Sequence, residues 1–352
     1  MPKGKYRLEG VRRKETMAYY LVRDVKTKGR RGKVRKYVSS GDAPSKKELD
    51  EFQKKHSYEL ELKAVEKKSE LSSSTFGTKY LPPEKIKELE KLRHLYLAFT
   101  SLSTKTEAET YEQDFEIHYI GGTTSIEGNT LSLNETRDLL LNKILPKDKT
   151  LREINEVQNF RNVITYRNKF KGHVNLDFFR NLHAHVMNNI DHESAGSFRR
   201  ADSVSISGRD LQVTPTSEIE AELQELIDEY YLGVKEGFHP FEQAVLFHYG
   251  FEMIHPFQDG NGRVGREIFN YLLKRAGFPK MLFLGRDRPR YILALKFGNE
   301  GRNAEMVSTF CHLILDRQMR ALDEYLKVVS SPIKKKGQTR LMDFIEEQAS
   351  GL

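Results

Sequence analysis

The sequence predicts a mainly α-helical protein: a helical bundle that carries one β-hairpin and follows a small, basic, β-rich module. From residue 83 to about 328, most segments place apolar residues three and four positions apart, the spacing of one helix face. Residues 198–214 instead alternate polar and apolar residues around Gly208, which is typical of a hairpin. Residues 1–45 contain short strand-like runs separated by turn residues.

Positive charge is concentrated in the N-terminal module. Residues 1–40 contain 14 Lys or Arg and three acidic residues, a balance of +11; the whole chain carries +8, so the rest sums to about −3. The runs KYRLEGV, AYYLVRDV and KVRKYVSS predict an antiparallel ribbon of three strands, with Gly29 and Gly32 in its second turn. A solvated basic surface and a docking site for nucleic acid or an acidic partner both fit this module.

A highly charged stretch connects this module to the bundle. Residues 46–82 predict a charged helix and a polar linker, and Pro83 opens the next helix because proline suits a first helical turn. The chain therefore divides into four segments: 1–45, 46–82, 83–328 and 329–352.

The C-terminal tail contains one motif-like segment. Gln338–Ile345 faintly resembles a sliding-clamp-binding peptide, although Ile345 stands where a second aromatic residue is expected. A helix packed on the body and a free tail are the alternatives.

Composition narrows the class of protein further. No apolar run approaches the roughly 20 residues that span a bilayer, and the start MPKGKYRLEG lacks the apolar stretch of a secretory signal. We therefore expect a cytoplasmic protein without a membrane segment. The single cysteine, Cys311, excludes an internal disulfide and a multi-cysteine zinc site, and its apolar neighbours predict a buried thiol.

The segment HPFQDGNGRVGR, residues 255–266, lies between two predicted helices. The first, 240–254, ends there because a residue before proline avoids the helical region, and the second, REIFNYLLKRAG, stops at Gly277. Gly260 and Gly262 allow backbone N–H groups to converge on an anion at a helix start. The segment therefore predicts a phosphate-binding loop.

The other residue types of this loop suit phosphoryl transfer. Asp259 is an oxygen ligand of the kind that Mg²⁺ prefers. Arg263 and Arg266 are one helical turn apart and can share a face toward phosphate oxygens. His255 can accept a proton from an attacking hydroxyl near neutral pH. A P-loop ATPase is disfavoured, because no GK[ST] follows a strand.

The loop fits the pattern HxFx[D/E]GNGRxxR at every defined position, and the chain resembles the Fic (filamentation induced by cAMP) family over about residues 85–325. The resemblance implies a Fic-type bundle and a protein adenylyltransferase, which transfers AMP from ATP to a Ser, Thr or Tyr hydroxyl of a target protein. It implies His255 as the general base and Asp259 as the ligand of Mg²⁺ or Mn²⁺.

The same resemblance extends to the nucleotide and the target. It implies that Asn261 and the amides around Gly260 and Gly262 hold phosphate, and that Arg266 meets the β/γ end. The hairpin 198–214 then resembles the Fic flap, which pairs with an extended target segment, although a purely structural hairpin is the alternative. In YILALKFGNEGR, Asn299 is the residue expected to contact adenosine.

A second motif lies upstream of the loop. Thr123 to Gly128 reads TTSIEG, which fits the Fic inhibitory pattern [S/T]xxxE[G/N] and resembles the class with an inhibitory helix, here around 115–130, in the same chain. The resemblance implies that Glu127 pairs with Arg266 and occupies the place that the γ-phosphate needs. A helix-capping stretch with a surface glutamate is the alternative.

Several functional questions stay open at this stage. Some Fic proteins also remove AMP, and the sequence does not give the dominant direction. A nucleic-acid-associated regulator that uses the Fic site to sense ATP is the alternative function. The target protein is unknown, and a homodimer is left open.

Overall fold

The computed structural model of the protein describes residues 6–27, 29–206 and 209–331, with residues 203–212 described by their backbone alone. Gly208, the predicted hairpin turn residue, and Gln338–Ile345, the clamp-like segment, lie outside the described residues.

The architecture is mainly α-helical, which confirms the predicted fold class. The strands are β1 (Arg7–Arg13), β2 (Thr16–Thr27), β3 (Arg30–Ser40), β4 (Ser203–Ile206) and β5 (Arg209–Gln212). The α-helices are α1 (Lys46–Lys55), α2 (Ser57–Ser73), α3 (Pro83–Leu102), α4 (Lys105–Ile126), α5 (Leu133–Arg137), α6 (Leu151–Lys169), α7 (Leu176–Val186), α8 (Ile219–Lys235), α9 (Pro240–Ile254), α10 (Asn261–Arg275), α11 (Arg288–Asn299) and α12 (Asn303–Ser330).

The N-terminal ribbon is an antiparallel sheet in the order β1-β2-β3, as predicted. Gly29 has a φ of 76°, so it supplies the positive φ of the second turn. Gly32 was predicted in the same turn, but it lies within β3 and pairs with Val25. A Cβ at Gly32 would lie 3.0 Å from Leu71 Cδ1, so the absence of a side chain lets the sheet approach α2 closely.

The charged stretch forms two helices rather than the single helix predicted, with a break at His56. Helix α2 packs against β3 on one side and against α3 and α12 on the other. Ser57 donates a hydrogen bond to the carbonyl of Ser330 at 2.5 Å, and Tyr58 donates to the Asp323 carboxylate at 2.9 Å. The segment therefore joins the sheet to the bundle through buried contacts.

Helix α10 lies at the centre of the bundle, in contact with α4, α7 and α9. It begins at Asn261, five residues before the predicted start at Arg266, so the second half of the predicted loop already belongs to the helix. Gly277 follows the end of α10 with a φ of 82°, as its predicted role as a helix stop requires.

Cys311 is fully buried on α12, and burial raises the pKa of its thiol to about 12. No helix in the described ranges has the length and apolar character needed to cross a membrane.

The predicted hairpin is present: β4 and β5 pair antiparallel, with Ser203 opposite Gln212. It projects from the segment between α7 and α8.

Candidate active site

Helix α9 ends at a residue with an unusual backbone. His255 caps it in the left-handed region, with φ 51° and ψ 58°, which few non-glycine residues adopt. Its Nδ1 lies 3.2 Å from the carbonyl oxygen of Glu252. Because a carbonyl can only accept, Nδ1 carries the hydrogen and Nε2 keeps its lone pair.

His255 has the protonation state that a general base needs. Burial lowers the pKa of the imidazole, and the nearby carboxylates of Glu127 and Asp259 offset this only in part. The imidazole is therefore neutral near pH 7 and able to accept a proton at Nε2.

Arg199 ties His255 to the hairpin. Its Nε donates to the His255 carbonyl at 2.8 Å, and its Nη1 donates to the Ala201 carbonyl at 2.8 Å. Its Nη2 donates to the Thr214 carbonyl, on the far side of the hairpin. The backbone N–H of Arg199 also donates to the Pro256 carbonyl at 2.9 Å. Through its side chain, one buried guanidinium binds both ends of the hairpin and the end of α9.

Side chains of Asn261 and His183 hold the turn from His255 to α10 in place. The Asn261 side chain accepts from the Phe257 N–H at 2.8 Å and donates to the Phe257 carbonyl at 2.7 Å. His183 stacks on the Phe257 ring, with 3.9 Å between centroids, and its Nε2 lies 3.0 Å from the Asp259 carbonyl. The Asn261 side chain thus holds the turn together, and the phosphate contact predicted for it stays a prediction.

The start of α10 presents free amides. Gly260 is its N-cap with a φ of 80°, and no side chain caps this end. The first N–H groups of a helix have no partner within it, and the helix dipole favours negative charge there. This helix start has the properties that favour an anion, and phosphate binding by the backbone around Gly260 and Gly262 stays a prediction.

Asp259 lies at the mouth of the turn between two guanidinium groups. Its Oδ1 is 3.1 Å from Arg263 Nη2 and 2.5 Å from the Gly260 nitrogen, and its Oδ2 pairs with Arg152. Burial raises the pKa of this carboxyl, but Arg263, the Gly260 N–H and Arg152 outweigh it and lower the pKa below its ordinary value. Asp259 is therefore ionised at neutral pH.

Arg263 lies three residues before Arg266 on α10 but binds different partners. It is buried and binds Asp259 together with Glu156, whose Oε1 lies 3.2 Å from Nη1. Arg263 therefore holds the Asp259 carboxylate from one side. The phosphate contact predicted for Arg263 stays a prediction.

Arg266 binds the upstream motif. Its Nε donates to Thr123 Oγ1 at 2.8 Å, and its Nη2 donates to the Thr123 carbonyl at 2.9 Å and to Glu127 Oε1 at 2.7 Å. Burial opposes the charge of this fully buried arginine. The nearby Glu127, Tyr291 and Glu252 side chains nevertheless raise the pKa of Arg266 well above its ordinary value. Nη1 is buried without a hydrogen-bond partner in the described part of the chain.

The Glu127 carboxylate lies over the first turn of α10. A Cβ added at Gly262 would lie 2.3 Å from Glu127 Oε1 and 2.9 Å from Arg266 Nη1. Glu127 follows the last residue of α4, and Gly128 then turns the chain away with a φ of 101°. The glutamate therefore fills the space beside the helix start where an anion would bind.

Asn299 lies at the end of α11, farther from the loop. Its Oδ1 accepts from the Tyr249 hydroxyl at 3.2 Å, and both side chains are near the surface. Tyr291 lies nearer the start of the same helix, and it is buried with its ring 5.7 Å from the Arg266 guanidinium. Contact between Asn299 and a nucleotide stays a prediction.

A buried carboxyl completes the surroundings of Arg266. Glu252 lies 3.5 Å from the Tyr291 hydroxyl and 4.0 Å from His248 Nε2. Burial raises its pKa to about 7, the charge of Arg266 opposes this rise, and Glu127 adds to it.

Four contributors were missed by sequence reasoning: Arg152, His183, Arg199 and Glu252. Glu252 precedes His255 by three residues, a helical spacing that could have drawn attention to it. The other three reach the loop from α6, from α7 and from the segment before β4, and no local signal marks them.

The fold and this loop together define a class: a helical domain whose central helix starts at a glycine with a positive φ, next to a neutral imidazole. Residues 173–273 match the sequence model of the Fic/DOC family. The protein adenylyltransferase Fic of Aedes aegypti is 32% identical over 253 residues, which are 69% of this chain and 48% of that protein. Protein adenylyltransferase fic-1 of Caenorhabditis elegans is 30% identical over 220 residues, 61% of this chain and 43% of that protein.

Solved structures agree on the fold. Fic-1 (residues 134–508) of Caenorhabditis elegans superposes with a TM-score of 0.61 at 23% identity, covering 81% of this chain and 88% of that one. A Fic-domain signalling protein of Bacteroides thetaiotaomicron gives 0.60 at 22% identity, covering 70% and 99%. The chain belongs to the Fic/DOC family, and it spans about half the length of the curated relatives that it matches.

Proposed function

We propose that the protein is an adenylyltransferase that transfers AMP from ATP to a hydroxyl of a target protein, and that Glu127 inhibits it. The observation that carries the proposal is the placement of the Glu127 carboxylate on the phosphate-binding end of α10, paired with Arg266. The names of the curated relatives support the reaction class.

The chemistry follows from the groups of the loop. A Ser, Thr or Tyr oxygen attacks the α-phosphorus of ATP, the bond to the β-phosphate oxygen breaks, and pyrophosphate leaves. His255 takes the hydroxyl proton at Nε2, which its Nδ1 hydrogen bond keeps available. The amides of the first turn of α10, from Asn261 to Arg263, and the guanidinium of Arg266 stabilise the negative charge on the phosphates.

The donor set suits Mg²⁺ or Mn²⁺. Asp259 is an ionised, half-exposed carboxylate, and no group of three or more metal-ligating side chains occurs among the described residues. Mg²⁺ is commonly held by one or two carboxylates plus substrate phosphates, so Asp259 alone fits. Such an ion would neutralise phosphate charge, and Arg152 would have to release Asp259 Oδ2 to admit it.

Inhibition follows because Glu127 and ATP bind the same arginine. The Glu127 carboxylate and a nucleotide phosphate both need Arg266 and the space beside Gly262. While Glu127 is paired, the terminal phosphates of ATP are displaced, so the α-phosphate is not in line for attack.

The test uses Glu127→Gly in the full chain. Loss of a charge-assisted hydrogen bond worth about 1.5–3 kcal/mol should raise AMP transfer roughly tenfold or more. The measurement is incorporation of label from α-labelled and γ-labelled ATP into the protein itself or into cell-extract proteins. Label from the α position alone indicates AMP transfer, and the labelled band identifies the target.

The control is Glu127→Gly combined with His255→Ala, which should bind ATP but transfer nothing. ATP binding without transfer in Glu127→Gly itself would favour the alternative, a regulator that only senses ATP. Unchanged transfer after Glu127→Gly in a folded, ATP-binding protein would remove the inhibitory role.

A further inference from the structure

We propose that the outer face of the N-terminal sheet binds duplex DNA, independently of the transfer reaction. The outer face is the side of β1-β2-β3 that carries the ion pairs of Glu9 and Asp24, and alternation along the strands assigns its other members. Its described charged residues are Arg7, Glu9, Arg13, Asp24, Lys26, Arg31, Lys33 and Arg35.

The opposite face of the sheet is already occupied. Val25 and Val34 are buried against Ala64 of α2, and Arg23 pairs with Glu61 of the same helix at 2.8 Å. Because one face packs on α2, the outer face is the side left to meet a partner.

The outer face keeps a positive surplus. Six cationic and two acidic side chains among the described residues leave a net charge of about +4. Glu9 binds Lys33 at 3.1 Å and Arg35 at 2.6 Å, which fixes those cations in place. Arg13 and Arg31 make no ion pair with any described residue and are exposed, so a polyanion can reach them.

Shape and aromatic content favour duplex DNA among polyanions. Adjacent strands are about 4.8 Å apart, and the roughly 12 Å major groove of B-DNA admits a ribbon of two antiparallel strands, so two neighbouring strands of the sheet can enter it. The deep, narrow major groove of duplex RNA excludes such a ribbon. Tyr37 is 51% exposed and contacts Tyr20, and Arg13 lies over the Tyr20 ring, which offers apolar contact to base edges beside the phosphate-binding cations.

The experiment measures fluorescence anisotropy of a labelled 20-base-pair duplex with the full chain at 50 and 200 mM salt. About four phosphate contacts predict a roughly hundredfold loss of affinity between these salt concentrations. Arg13→Ala with Arg31→Ala should weaken binding roughly tenfold and reduce the salt slope by about two. The matched control, Lys105→Ala with Lys235→Ala, removes the same charge from exposed sites on the helical body and should bind as the parent does.

Three results would overturn the proposal: no binding at 50 mM salt, equal loss in the control variant, or tighter binding to single-stranded DNA, anionic vesicles or polyglutamate than to the duplex. Circular dichroism verifies that each variant is folded. Should the double variant unfold, Arg31→Ala alone should weaken binding and reduce the slope by about one.

Discussion

Two carboxyl groups lie close to the buried Arg266 side chain. Glu127 binds Arg266 directly at 2.7 Å, whereas Glu252 lies beside it with a pKa raised to about 7. At acid pH Glu252 is neutral and Arg266 faces one carboxylate. As the pH rises through 7, a second negative charge develops in a nearly dry site, which costs free energy because the group is poorly solvated.

Glu252→Gln should therefore make stability less dependent on pH. The folded pKa lies above the unfolded value of 4.5, so the stabilising contribution of the neutral carboxyl is complete below 4.5 and is lost as the pH passes 7. Between pH 5 and 8 the parent should lose about 2.5 kcal/mol more than the variant, at about 1.4 kcal/mol per pKa unit. Urea unfolding at both pH values measures this, with Glu109→Gln as the exposed control; parallel curves for parent and Glu252→Gln would contradict it.

Local sequence predicted some residue positions and not others. His255, Asp259 and Arg266 lie in one contiguous pattern, so their proximity could be predicted without a fold. The ion pair between Arg263 and Glu156 could not be predicted, because the two residues are 107 positions apart in the sequence. Contacts of that kind exist only after the chain has packed.

At the scale of elements, Arg199 couples the hairpin to the end of α9. One guanidinium donates to carbonyls of Ala201, Thr214 and His255, and the last of these has a left-handed backbone. Such a backbone costs about 1–3 kcal/mol and persists where its surroundings hold it. Movement of the hairpin would therefore be transmitted directly to the backbone of His255.

Arg199→Lys should lower the rate of AMP transfer in the Glu127→Gly background by about tenfold, because lysine keeps the charge but cannot bridge three carbonyls. ATP affinity should stay within about twofold, because the guanidinium does not contact the start of α10. Initial rates and nucleotide titrations measure the two effects. Arg200→Lys, at the exposed neighbouring position, serves as the control, and a full rate in Arg199→Lys would show that His255 does not need this tie.

Some helices begin and end where the sequence predicted, at positions that a proline or glycine marks. Pro240 and Pro256 bracket α9, and Gly277 follows α10, as predicted. The break between α1 and α2 at His56 carries neither proline nor glycine. It depends on Ser57 and Tyr58 reaching α12, contacts that span more than 260 positions and leave no local trace.

At the scale of the whole molecule, α2 belongs to two cores at once. Ala64 packs with Val25 and Val34 of the sheet, whereas the adjacent Val65 packs with the core of the bundle. Leu60, one turn earlier, is 2% exposed. The segment predicted as a charged helix and linker is thus a shared layer, and the division between 82 and 83 stays a prediction.

This sharing leads to different expectations for two shortened chains. A chain beginning at Lys46 keeps α2 against α3 and α12 and should retain the melting temperature of the parent within a few degrees. A chain beginning at Pro83 loses the burial of Leu60 and Val65, worth about 2 kcal/mol each, and should melt roughly 10 °C lower. Scanning calorimetry of the three proteins measures this. Equal melting temperatures for the two shortened chains would make α2 a tether and place the domain boundary at Pro83.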